Sequence, residues 1–307
     1  MKADISGTTH TYYPRQPIIT RPPLRWPNGA RAAVAFVISA EYYEMQIPAN
    51  AFMPPNLPGG FGRGPYPDFR VYSSRAYGSR VGIFRLFDAV DRYGVRPTVA
   101  LDALTVKHCS RLVPHIVNRG YEIVGHGESV NRMISSKMSE EEERDYILRT
   151  LDAIEKATGQ RPLGWHGAEY GESFRTPRLL AELGLKYVLD WPNDEQPLTF
   201  STGSGPIVSV PMLIDFDDVY AQFHRKISPA RWAQSIEEGV ATLLKQPPDA
   251  GRVLVVNLHP WLMGHGFRVG HLERVLEAIT RRDDIWFATT GEIADWRTPQ
   301  TEAEAVS

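Results

Sequence analysis

The sequence predicts one α/β domain whose parallel strands close into a barrel. Short apolar runs of strand length alternate with helical patterns along nearly the whole chain, and no repeat or low-complexity tract breaks that alternation. The β/α units number about eight, the count at which a parallel sheet closes. At 307 residues and 42% hydrophobic the chain can fill one large core. An open doubly wound sheet uses the same units, but no Gly-x-Gly-x-x-Gly follows the first strand to mark a dinucleotide site.

Residues 1–26 read as a proline-rich extended arm, 27–297 as the barrel domain and 298–307, small and acidic, as a flexible tail. The unbroken apolar run from Arg31 to Ile38 predicts a first strand buried on both faces. Helical spacing of Val81, Phe84, Leu86 or Phe87, and Val90 predicts a helix from Gly78 to Tyr93, closed by Gly94. A strand at Pro97 to Leu101, a helix through Leu112 and a strand at Tyr121 to Gly125 come next. Ser139 with Glu142 forms a capping box for a helix that buries Ile147, Leu151 and Ile154 and ends near Gly159. Further strands are expected at 163–166, 186–190, 207–212, 253–258 and 285–288, with helices from about Ser228, Val269 and Gly291. The irregular stretch is Glu44 to Ala76, rich in Pro and Gly and carrying Phe52, Phe61, Tyr66, Phe69 and Tyr72; a loop of that length suits a lid or an oligomer contact.

A formal charge of -2 without a basic cluster argues against nucleic acid or an anionic membrane as partner. No apolar leader opens the chain and no run of eighteen apolar residues occurs, so a cytoplasmic location is expected. A single cysteine, Cys109, excludes an intramolecular disulfide and a cysteine-rich zinc site.

Side chains just past the C-terminal ends of barrel strands converge on one rim. The polar residues predicted there are Glu41, His126, His166, Asp190 and His259. Far apart in sequence, they reach one site by topology alone, and histidines beside carboxylates are the usual groups for moving protons.

The segments FVISAEYYE, YGSRVGIFRLFD, RPTVALDAL, GYEIVGHGESVN, TGQRPLGWHG and VVNLHPWLMGHGFRVGHLERVLEAI, in this order from about Trp26 to Trp296, resemble the polysaccharide-deacetylase superfamily. They are most similar to its metal-independent allantoinases and cyclic imide hydrolases. The resemblance implies a distorted (β/α) barrel of seven or eight parallel strands and a homo-oligomer. It aligns Glu41 with an acidic residue after the first strand and His126 with the first histidine of a His-x-x-x-His motif. It aligns Arg161 and Pro162 with an Arg-Pro pair, His259 with a general acid, Arg80 with an arginine of the allantoinase-like branch, and Asp218 with that branch's Asn-Asp position.

Metal-dependent members hold zinc with an aspartate and both motif histidines, whereas the second histidine position here is Val130. A zinc site needs about three protein ligands. Glu41 and His126, with Glu128 or Asn131 as extras, would be the ligands of any metal, and no cofactor is expected. The implied reaction opens a small cyclic amide, imide or ureide: Glu41 or His126 deprotonates water, His259 protonates the leaving nitrogen and Arg80 binds substrate carbonyls. Trp165, His166, Glu169, Asp190 and Asp218 complete the expected substrate-binding set. The alternatives are a metal-dependent N-deacetylase of an amino sugar or oligosaccharide and a non-catalytic ligand-binding barrel.

Overall fold

The computed structural model describes residues 10–46, 48 and 67–306, with side chains as far as residue 298. Strand β1 (Ala32–Ala40) is buried at every position. It pairs in parallel with β2 (Thr98–Leu101) along its C-terminal half and with β8 (Arg252–Leu258) along most of its length, and β9 (Ile285–Phe287) pairs with Ala32 to Val34. Beyond β2 the sheet continues through β3 (Glu122–Gly125), β4 (Gly164–Trp165), β5 (Tyr187–Val188) and β7 (Pro206–Ser209) to β6 (Leu198–Ser201) at its edge. Eight strands are parallel, as the alternation predicts, and curl into a distorted half-barrel. A single parallel bridge, Asp217 to Asn257, links the segment after β7 to β8 across the open side.

Strand alternation sorts the core. On β1, Val34, Phe36 and Ile38 face outward, against Leu86 and Phe87 of α2 (Ile83–Arg92), Trp232 and Ile236 of α7 (Pro229–Leu243) and Leu272 and Leu276 of α8 (Val269–Thr280). Ala33, Ala35 and Val37 face inward with Ala100, Val124, Leu189, Val208 and Val255, a lining of mostly small residues that fits the narrow interior. A third cluster covers the β4–β5 side with Leu151 of α5 (Glu140–Thr158) and Leu180 of α6 (Thr176–Glu182).

The capping box on α5 is present as the sequence predicts, with Ser139 and Glu142 each binding the other's backbone N–H. The expected helix from Gly78 to Tyr93 is present as α2, but its first turn is π-helical, Gly78–Gly82, which joins it to α1 (Phe69–Tyr77) and leaves Val81 exposed. Asp68 caps α1 by accepting from the N–H groups of Arg70 and Val71, so the irregular stretch ends in a helix. Phe52, Phe61 and Tyr66 lie outside the described residues. The expected helix through Leu112 divides into α3 (Ala103–His108), capped by Asp102, and α4 (Val113–Asn118). Half-buried Cys109 follows α3 and packs on the core. Strand β6, not anticipated, is the antiparallel arm of a hairpin whose turn uses the positive φ of Gly203 and Gly205.

The N-terminal segment is tied down by hydrogen bonds from Leu24 N–H to the Asp249 carbonyl and from the Trp26 indole to the Arg252 carbonyl, and Tyr13 stacks on Phe200. Helix α9 (Thr290–Val306) takes in residues 298–306. No helix among the described residues is long and apolar enough to cross a membrane.

A Cβ on Gly82 would stand 2.0 Å from the Pro260 carbonyl oxygen, next to His259. Gly82→Ala is expected to destabilise the fold by about 1–3 kcal/mol, the usual cost of overpacking, read as a drop in denaturation midpoint.

Candidate active site

Alternation along each strand carries inward-facing groups to one rim. Val37 and Ser39 lead on β1 to Glu41, Val255 and Asn257 on β8 to His259, and Val124 on β3 to His126. Ser39 donates to Asn257 Oδ1 (2.9 Å), and Asn257 Nδ2 donates to Asp217 Oδ2 (2.8 Å), so the layer beneath the rim is a satisfied polar network.

Glu41 sits between two imidazoles. Its Oε1 is 3.4 Å from His126 Nε2 and 3.6 Å from His259 Nε2. The His126 Nδ1–H donates to the His166 carbonyl (2.6 Å), which directs Nε2 at Glu41. Asp218 holds His259 by Nδ1 (2.6 Å) and by its backbone N–H (2.9 Å). Burial works against charge on His259, but the carboxylates of Asp217, Glu41 and Asp218 outweigh it and raise the ring's pKa to about 10. Burial would likewise raise Glu41, yet His259 and His126 hold its carboxyl below the ordinary value. Burial also opposes charge on His126, and Glu41 overcomes it, raising that ring's pKa. The site therefore rests as a Glu41 carboxylate facing a His259 imidazolium.

His166 and Glu169 line the same pocket, with Tyr43, Tyr170, Asp217, Tyr220 and Trp261. His166 Nδ1–H donates to Asp190 (2.8 Å); burial and the charge of His126 lower its pKa, so the ring is neutral with a lone pair on Nε2. Burial and the nearby Glu41 charge raise Glu169 to about 7. Glu169 and Tyr170 both have positive φ (53° and 57°), a strained pair of non-glycine residues of the kind found at functional sites.

The structure corrects four expectations. Arg80 is exposed and its Nε donates to the Ala76 carbonyl, because the π-helical turn rotates it outward. The arginine beside the pocket is Arg75, 4% exposed, over the Tyr43 and Trp261 rings and near enough to Glu41 to lower its pKa. Trp165 is fully buried in the outer core against Tyr146, since its parity on β4 is opposite to that of His166. Asp190 and Asp218 grip histidines instead of lining the pocket.

Arg161 is on the surface, paired with Asp152 and Glu155. Two rim carboxylates are not picked out by the sequence pattern. Asp217 is one; its neighbour Asp218 matches the family pattern, and only the fold brings both to His259. Asp102, directly after β2, is the other. Burial, opposed by N–H bonds from Tyr42 and Thr105, raises its pKa to about 7. The signal that would have found it is strand parity, because Ala100 faces inward.

Among the described residues, Asp217, Asp218 and His259 form the group of potential metal ligands whose atoms lie within 4.8 Å of one another. As arranged, protein donors engage these groups: each Asp218 oxygen accepts one N–H from His259 and keeps a second lone pair, and Asp217 accepts from the N–H groups of Val219 and Tyr220, the Tyr170 hydroxyl and Asn257. Of the ligands expected from the sequence, Glu41 and His126 face each other in the pocket, whereas Glu128 is paired with Arg132 and Arg149 and Asn131 accepts from Glu44 N–H.

Residues 71–188 match the family model for polysaccharide deacetylases. The chain contains a polysaccharide deacetylase domain. A Schizosaccharomyces pombe protein named for its likeness to polysaccharide deacetylases is 24% identical over 91% of this chain and 93% of its own length. The Helicobacter pylori peptidoglycan deacetylase is 29% identical over 42% of this chain and 43% of its own. Crystal structures of Puue allantoinase (TM-score 0.79, 25% identity, 92% of this chain and 97% of the other) and of a Mycobacterium smegmatis protein likened to polysaccharide deacetylases (0.76, 26%, 92% and 95%) share the architecture across the deacetylase domain and beyond it.

Because the folded pKa of His259 exceeds the unfolded value of about 6.5, its contribution to stability is full below that value and is lost as pH rises through about 10. Asp218→Asn removes one of the facing anions. It is expected to lower the midpoint by at least about one unit in a ring NMR titration.

Proposed function

We propose that this chain is a hydrolase of carbon–nitrogen bonds other than peptide bonds that opens a small cyclic amide, imide or ureide with water and the chain's own acid and base groups. The observation that carries this reading is the Glu41 carboxylate held between two imidazoles, one of them kept protonated by Asp217 and Asp218. Water at Glu41 and His126 loses a proton to that pair as its oxygen attacks the ring carbonyl. The developing oxyanion is stabilised by Arg75 and by hydrogen-bond donors on the rim. His259 then gives its Nε2 proton to the nitrogen as the C–N bond breaks, leaving a carboxyl group and a free N–H. The proton taken from water then passes from the Glu41–His126 pair to His259, and the product carboxyl gives its own proton to solvent as it departs.

The four donors already engaging the Asp217 carboxylate support a metal-free route, and the likeness to an allantoinase supports a cyclic substrate. Such rings suit modest activation because their nitrogen leaves as a stabilised anion. The second reading is N-deacetylation of an amino sugar, which the family match and the likeness to a peptidoglycan deacetylase favour.

A panel of cyclic ureides, imides and lactams beside N-acetylated sugars, with and without chelator, decides between them. Ring opening that survives chelation is expected; acetate release that depends on added metal would replace this reading with the second. On the substrate found, His259→Ala and Glu41→Ala should each lower turnover by at least about 10²-fold.

A further inference from the structure

Behind His166, away from the reaction pocket, a cavity of about 330 Å³ is walled by Tyr12, Phe174 and Trp191 and floored by two carboxyl groups, Asp190 and Glu172. Glu172 Oε2 accepts from the Trp191 indole N–H (2.7 Å). Its Oε1 is buried, and among the described residues no protein donor reaches it. What Glu172 does face is the Asp190 carboxylate, within hydrogen-bonding reach. Asp190 Oδ1 takes both the His166 Nδ1–H and the Gly167 N–H, whereas Oδ2 has the Gly167 N–H alone at 2.9 Å and retains room for a second donor.

Two ionised carboxylates cannot share such a site without a cation. The arginines of this region are committed elsewhere: Arg175 pairs with Glu143, and Arg178 with Glu140 and Glu182. One of the two acids must carry a proton, and Asp190, which already accepts from His166 and Gly167, is the better anion. We propose that Glu172 is a neutral carboxylic acid whose O–H binds Asp190 and thereby fixes His166 in its Nδ1–H tautomer, which makes Glu172 a positioning residue for the reaction pocket. Burial and the adjacent Asp190 charge hold its pKa well above the ordinary carboxyl value, in agreement with the geometry. The other titratable groups around it are Glu143 of α5, Tyr170, and Tyr12 and His10 of the N-terminal segment.

The consequence for His166 rests on the reaction proposed above, while the protonation of Glu172 does not. Glu172→Gln keeps an N–H donor toward Asp190 and an acceptor toward Trp191. Glu172→Leu removes both. At about pH 9, above the range in which Asp102 and Glu169 titrate, an infrared difference between wild type and Glu172→Gln is expected to show a protonated-carboxyl band that only the wild type carries. In nitrogen NMR the His166 Nδ1–H tautomer should persist in Glu172→Gln and be lost in Glu172→Leu. With substrate, Glu172→Gln should keep kcat within about twofold, whereas Glu172→Leu should lower it at least about tenfold with KM little changed, as expected when an imidazole loses its correct tautomer. Absence of the band in the wild type overturns the proposal, as does loss of the tautomer in Glu172→Gln. If band and tautomer behave as stated but no ring is opened by any variant, the proposed reaction fails and the protonated acid stands.

Discussion

The Glu41 carboxylate, enclosed between His126 and His259, is the interaction on which the rest of the site depends. A buried charge is tolerated only when a partner charge or hydrogen bonds replace the water it has lost. Each imidazole facing Glu41 is gripped in turn on its far nitrogen, His126 by the His166 carbonyl and His259 by Asp218. Asp217 reinforces the positive charge on His259 while holding Tyr170 and Asn257. Each imidazole facing Glu41 is thus fixed from both sides.

This arrangement depends on the sheet beneath it. The inward positions of β1, β2 and β8 are small or medium residues, Ala33, Ala35, Ala100 and Val255, and they allow the strands to curl tightly enough for their ends to converge. The outward positions, Phe36, Ile38 and Leu258 among them, anchor the helices. Gly82 lets the helical segment approach the backbone at Pro260, so the loop carrying His259 and Trp261 is clamped from outside the barrel as well as from within.

Val130 is buried and apolar, and the polar groups around the rim histidines are Asp217, Asp218 and Asp190. The buried carboxylates there accept from N–H and O–H donors, Asp217 from Tyr170, Asn257 and two backbone N–H groups and Asp218 from His259.

The sequence by itself determined the eight parallel strands and the longer helices in their order, because apolar periodicity and caps such as Ser139 with Glu142 act over a few residues. It also determined which histidines and carboxylates follow strands, and so placed Glu41, His126, His166 and His259 on one rim. Only the tertiary structure decided which of them touch and which neighbours turn away. Arg75 replaced Arg80 at the pocket because a π-helical turn, invisible to a 3.6-residue period, changed the phase between them. Trp165 joined the outer core because it is one residue out of step with His166 on a strand too short to show its alternation. The partnership of Asp218 with His259 spans 41 residues and that of Glu41 with His126 spans 85, and contacts of that range are set by sheet register and barrel curvature rather than by local pattern.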